Sequence, residues 1–275
     1  MKIAVLSVVA VAALAGQAMA GNVLINPTAA QFLPGQTPSA TATTAASAKM
    51  RFATNSWDMS LSPTTSTTTP GAFLQRDLAN ANNTPAALTA AWNFTLNYVA
   101  GQGYTYSVTS VTFPNSGTLT WRSDAAQNVN GGTANTLAGE GPTRAFNFIR
   151  LHARAGNSPQ AMSFSNLAFS SSLTSTGSFD SGAASSTSTR NSIDGSGGNF
   201  FYYQDIVSDT NLATVNWSLS GTIQSNATTT AGEGIRFQVD MRNSSFQLNV
   251  IPLPTGAAMG LAGLTVLGFR RRRSA

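Results

Sequence analysis

The chain has no cysteine. That absence excludes a disulfide framework, thiolate zinc sites, iron-sulfur clusters and a cysteine nucleophile together. At 275 residues the chain is long enough to bury a core without such staples. Histidine is almost absent too, His152 being the only one. Charged residues make up only 9% of the chain. The formal net charge of +5 would invite a polyanionic partner, but its placement cancels the inference. Lys2, Arg270, Arg271, Arg272 and Arg273 lie at the extremities, leaving 15 − 5 = 10 basic residues against 10 acidic ones between them. A neutral body with such sparse charge can release few counterions from a phosphate backbone, so nucleic acid is not an expected partner. Helical periodicity is also scarce, with Pro85 to Ala91 the best candidate for a short helical turn. No alternation of strand and helix marks a parallel α/β sheet.

The two ends of the chain carry the clearest signals. Met1-Lys2 gives a short positive region, Ile3 to Ala15 is apolar apart from Ser7, and Ala18-Met19-Ala20 places small residues where a signal peptidase reads them. The pattern predicts a secretory signal helix over residues 1–20, with Ala18 and Ala20 at the cleavage site. At the other end, Pro252-Leu253-Pro254 precedes a small, apolar run from Thr255 to Phe269 and then four consecutive arginines. As a helix that run reaches only about 22 Å at 1.5 Å per residue, short of a bilayer core of about 30 Å. The arginines would hold its end on the cytoplasmic side. The prolines keep the preceding residues extended and accessible to a processing enzyme.

A Pro-x-Pro motif, a short apolar helix and a terminal arginine cluster, paired with a signal peptide, resemble the PEP-CTERM class of bacterial sorting signals. With Leu253 between the prolines and Ile251 before them, the motif is similar to the Val-Pro-Leu-Pro variant of that class. The resemblance implies a tail over residues 251–275 that an exosortase-like membrane protease recognises and cleaves after transient membrane insertion. The body would then pass to the cell surface, outer membrane or extracellular matrix, where an exopolysaccharide is a candidate partner. The alternative for the same tail is a single-span anchor that is never processed.

Residues 21–250 repeatedly alternate apolar and polar side chains, the period of a half-buried strand. Trp92, Phe94, Leu96 and Tyr98 share one parity; Val215, Trp217 and Leu219, then Ile235, Phe237, Val239 and Met241, then Phe246, Leu248 and Val250 repeat it. Further strands are expected within 51–61, 104–113, 145–152, 162–169 and 200–206. The Trp217 to Ile223 and Ile235 to Asp240 segments also resemble β-rich domains that precede such tails. The expected fold is all-β, an antiparallel β-sandwich of jelly-roll type. Three Ser/Thr-rich stretches, 37–49, 62–71 and 170–198, are expected as loops because small polar residues bury too little area to offset ordering entropy. They are either solubilising loops or glycan acceptors.

Catalytic constellations are hard to assemble from what remains. His152 in Arg150-Leu151-His152-Ala153-Arg154 shares a strand face with two arginines and has no partner motif, so it reads as a solvated surface residue rather than a base. Asp194-Gly195-Ser196-Gly197-Gly198 transposes the order of a serine-protease nucleophile and lies in a low-complexity stretch. With Asp180, Asp205 and Asp209 it could offer oxygens to Ca²⁺, but the spacing of a calcium loop is missing. Asp58, Asp124, Glu140 and Glu233 are candidate glycosidase carboxylates with nothing to pair them. Phe200, Phe201, Tyr202 and Tyr203 are core residues or, with Tyr202 and Tyr203 outward, a platform for sugar rings. The expectation is an exported, non-catalytic structural or adhesive protein without cofactor. A carbohydrate-binding module is the alternative, and a carbohydrate-active hydrolase stands behind it.

Overall fold

The computed structural model describes residues 21–38, 42–53, 56–63, 73–78, 89–123, 128–129, 141–155, 161–184, 193, 200–226 and 235–249. The expected signal helix, the sorting tail and most of the helical candidate at 85–91 lie outside them. In chain order the first strands are β1 Asn22–Ile25, β2 Thr43–Ala53, β3 Ser56–Ser62, β4 Leu74–Asp77, β5 Ala91–Val99, β6 Gly103–Ser110, β7 Ser116–Arg122 and β8 Asn128–Val129. They continue with β9 Phe148–Arg154, β10 Met162–Ser171, β11 Thr174–Gly177, β12 Gly182–Ala184, β13 Phe201–Ser208, β14 Trp217–Ser225 and β15 Arg236–Asn243. Two single 3-10 turns, Ala29–Gln31 and Leu212–Thr214, are the helical elements among the described residues. Among those residues no helix is long and apolar enough to cross a membrane.

The strands form two sheets, one of eight in the order β11-β1-β13-β9-β15-β2-β3-β4 and one of seven in the order β12-β10-β14-β5-β6-β7-β8. Pairing is antiparallel throughout except between β1 and β11. The alternation read from the sequence decides which faces meet. Trp92, Phe94, Leu96 and Tyr98 of β5 are at most 1% exposed, and they face Trp57 and Phe237 of the larger sheet. The Phe94 and Phe237 rings lie 4.6 Å apart, with Trp57 and Trp92 at 6.2 Å. At the other end of the interface Tyr98 packs against Tyr104, Phe146 and Trp217, with centroids 4.8, 5.5 and 5.8 Å away. Its hydroxyl donates to the Ala213 carbonyl at 3.2 Å, so the polar tip of a buried ring is satisfied.

The outer faces differ in kind. The seven-stranded sheet turns Ser218, Ser220 and Thr222 of β14, Asn93, Thr95 and Asn97 of β5, Thr105, Ser107 and Thr109 of β6, and Ser116, Thr118 and Thr120 of β7 away from the core. The eight-stranded sheet instead collects charge. Lys49, Arg51, Arg150, Arg154, Arg236, Arg242, Asp58, Asp77, Asp205 and Asp240 share its outward parity. Half of the 20 charged residues between the two chain ends therefore stand on one face of one sheet.

Four sequence expectations change. The 37–49 loop is in part strand β2, where Ala46 and Ala48 are fully buried; their small side chains let the facing sheet approach, which a count of bulky residues overlooks. Within 170–198, β11 and β12 form edge strands of the two sheets. Of the expected strand at Phe246 to Val250, the described residues 246–249 make a single bridge, Leu248 to Phe32. Phe32, Phe246 and Leu248 instead cover Phe148 and Val207 on the outer face of the larger sheet. The candidate strand 51–61 spans the end of β2 and most of β3, which pair as a hairpin.

Candidate functional site: the charged face of the larger sheet

Cross-strand register sets the rows of this face. Asp58, Arg51, Arg236, Arg154 and Phe201 form one row, Ser60, Lys49, Gln238, His152 and Tyr203 the next, and Ser62, Ser47, Asp240, Arg150 and Asp205 the third. Alternation carries each residue outward, yet most are buried: Lys49 is 5% exposed, Asp58 3%, Arg150 2%, His152 8% and Asp240 1%. The solvated setting expected for His152 is therefore corrected. Long side chains on six adjacent strands close over one another, so an outward-facing position is not a wet one.

Three carboxylates anchor the face. Asp58 accepts from Arg51 Nε on both oxygens at 3.0 Å and from Gln75 Nε2 at 3.0 Å. Asp205 accepts from Arg150 Nε at 3.1 Å and from the Ile193 amide at 2.7 Å. Asp240, on the inner strand β15, accepts from Ser47 Oγ at 2.8 Å, Gln238 Nε2 at 2.7 Å and Arg242 Nη2 at 3.3 Å. Beside them runs a ladder of rings and guanidinium groups. Arg154 lies over Phe201 at 5.5 Å, and Phe201 stacks near Tyr203 at 5.9 Å, with His152 within 6.5 Å of both rings. Arg150 lies over Tyr203 at 5.5 Å and over Phe148 at 4.9 Å. Such cation-ring contacts gain strength as water is removed from them.

Burial shifts the titrations in opposite directions. Desolvation pushes the Asp58 carboxyl from 3.8 up to about 6, outweighing the pull of Arg51. Desolvation lowers His152 from 6.5 to about 4, with the Arg236 and Arg150 cations working the same way against Asp240 and Gln238. Lys49 is lowered by burial and by Arg236 and Arg51. Between about pH 4 and 6 the folded chain holds the Asp58 proton more tightly than the unfolded chain, so that group's contribution to stability falls as pH rises. His152 does the reverse: its folded form holds the proton less tightly, so stability is lost as pH falls from 6.5 through 4. The slopes oppose, each on the order of 3 kcal/mol across its window. Urea midpoints measured from pH 4 to 7 should rise with pH in Asp58→Asn and fall with pH up to 6 in His152→Gln. Identical profiles in both variants would contradict the assignment.

The other sequence candidates are dispersed. Tyr202 and Tyr203 fall on opposite faces of β13. Tyr203 is 8% exposed in the ladder, while Tyr202 packs edge-on to Phe164 at 5.3 Å, in contact range of Gly182. The two rings therefore do not share a platform. Asp205 is held by Arg150, Asp209 accepts from the Asn22 amide at 2.8 Å, and the Asp180 carbonyl accepts from Gln204 Nε2 at 2.6 Å. Among the described residues no three His, Asp or Glu side chains converge as a metal site would require. Asp124, Glu140, Asp194, Glu233, Ala18, Ala20, Pro252, Leu253, Pro254, Arg270, Arg271, Arg272 and Arg273 lie outside the described residues.

The charged face had a signal in the sequence. Lys49-x-Arg51, Arg150-x-His152-x-Arg154 and Arg236-x-Gln238-x-Asp240-x-Arg242 each keep polar groups at every second position, opposite the apolar set. What pairs them across strands is register, which lies between segments far apart in the chain. No protein-family model matches this chain, and no curated protein matches it.

Proposed function

We propose that this chain is an exported bacterial component of the cell surface or extracellular matrix, with a structural or adhesive role and no catalysis. The carrying observation is the pairing of the signal sequence with the tail in which Pro252, Leu253 and Pro254 precede a short apolar run and Arg270 to Arg273. The described body supports the structural part: Asp58, Asp205 and Asp240 are each held by an arginine, as acceptors in a network that ties adjacent strands together. The interleaving of distant segments, with β15 between β9 and β2, agrees with a jelly-roll-like sandwich.

Intact-mass measurement of the protein from its native host tests the reading. The expected product begins at Gly21 and lacks the arginines, and Pro252→Ala/Pro254→Ala retains them and stays with the membrane fraction. Wild-type protein that still carries Arg270 to Arg273, or that remains in the cytosol, overturns it.

A further inference from the structure

We infer that removal of the leader after Ala20 creates a clasp, in which the new α-ammonium of Gly21 pairs with the Asp209 carboxylate and fixes β1 in the larger sheet. The inference rests on the export reading above and adds to it a binding site for the freed amino terminus. β1 begins at Asn22, the second residue after the expected cut, and it lies between β11 and β13 with Val23 fully buried. One side chain already holds the start of that strand. Asp209 Oδ1 accepts from the Asn22 amide at 2.8 Å and Oδ2 from Asn22 Nδ2 at 3.1 Å, while the Asp209 amide donates back to the Asn22 carbonyl at 3.3 Å. Thr210 Oγ1 donates to Oδ1 at 3.0 Å.

Gly21 stands against this carboxylate. A Cβ there would collide with Thr210 Oγ1 and lie 3.3 Å from Asp209 Oδ1, so a group carried on the Gly21 Cα comes within ion-pair range of the acid. In the precursor the Gly21 nitrogen is a neutral amide whose direction is set by the chain continuing into the leader. Cleavage changes both. Hydrolysis of the Ala20–Gly21 bond consumes one water and leaves a carboxylate on Ala20 and an amine on Gly21 that is protonated at neutral pH. That ammonium is free to turn about the Cα–C bond of a residue with no side chain. Thr210 Oγ1, on a rotatable bond, swings aside to accept from it.

The acid is suited to a cation. It takes three donors of the roughly four that two carboxylate oxygens accept, and among the described residues no arginine or lysine pairs with it. β11 and residues 208–214 bring no second charged side chain to the spot. β13 adds Tyr202, Tyr203 and Asp205, the last held by Arg150, and Asp180 lies toward the far end of β1, where Gln204 links it to Asn26. An opposite charge at this range holds the proton on an amine, and an exposed position limits the size of the effect. Stability from the clasp is present below the ordinary α-amino range of about 7.7–8.0 and is lost as pH rises through the raised value. Processing and folding are thereby coupled, since the cut that frees the chain from its leader also supplies the charge that seats its first strand.

The test uses the mature protein recovered from its native host. With Lys2 gone, that chain carries two amines, the Gly21 α-amine and Lys49, so isotope-labelled dimethylation followed by NMR titration reads each by its own signal. The Gly21 midpoint is expected above the ordinary range and about half a unit to one unit above that of Asp209→Asn. It should fall back in about 1 M salt, where the screening length is about 3 Å. Asp180→Asn should leave it in place. A wild-type midpoint inside the ordinary range, one that Asp209→Asn does not move, or one indifferent to salt overturns the inference. Should Asp209→Asn fail to fold, the position and salt dependence of the wild-type midpoint still decide it. Any of those results on a chain whose mass shows Gly21 first leaves the export reading standing, whereas a mass that retains the leader overturns both.

Discussion

Asp240→Ala lowers the unfolding free energy by about 3–5 kcal/mol, the range expected when one partner of a buried ion pair is removed. The carboxylate is 1% exposed. It receives hydrogen bonds from Ser47, Gln238 and Arg242, and its charge offsets the cationic surroundings of Lys49 and His152. Truncation strands these donors where water cannot replace the lost acceptor. Asp240→Asn keeps an acceptor oxygen in place but discards the charge, and should recover only part of the loss. Equilibrium urea unfolding of both variants, with exposed Thr109→Ala as a control, checks the ordering. If Asp240→Ala unfolds at the wild-type midpoint, the face is not held together by that carboxylate.

Phe237→Ala costs about 3–5 kcal/mol for a different reason, the loss of transfer free energy together with a cavity that close-packed neighbours cannot fill. Phe237 is fully buried on the inner face of β15 and meets Phe94 at 4.6 Å and Phe164 at 6.2 Å, both on the opposing sheet. It is thus one of the rings across which the two layers touch. Phe237→Leu keeps most of the volume and should recover more than half of the loss. Thermal unfolding followed in the near ultraviolet reads both variants. Equal destabilisation by alanine and leucine would point to a specific ring geometry instead of cavity formation.

Legibility in the sequence followed the apolar alternation. β5, β14 and β15 could be read because Trp92 to Tyr98, Trp217 to Leu219 and Phe237 to Met241 put bulky groups at every second position, and all of these are core. β7 was missed although Leu119 and Trp121 follow the rule, because Gly117 begins its buried parity. That glycine has a physical role: a Cβ there would come within 2.5 Å of Leu78 and 2.6 Å of Met59. β1, β11 and β12 are short edge or near-edge segments of three or four residues, too brief for a period to show. On the charged face the alternation placed Arg150, His152 and Arg154 together. It could not show that β15 and β13 flank them with Gln238, Asp240, Tyr203 and Asp205, and that encounter turns a wet-looking surface into a dry network. The split of Tyr202 from Tyr203 was within reach of the same rule, since consecutive strand residues point opposite ways.

The position of β15 between β9 and β2 governs when the molecule can take shape. Ser47 and Asp240 meet across 193 positions of chain, so the larger sheet has a gap at its middle until β15 has been synthesised. Non-local pairing of this kind is slow because closure entropy must be overcome before the contacts form. A nascent chain of this design cannot close its larger sheet while that strand is still to come, so one late segment decides when the two halves of the sheet become a single layer.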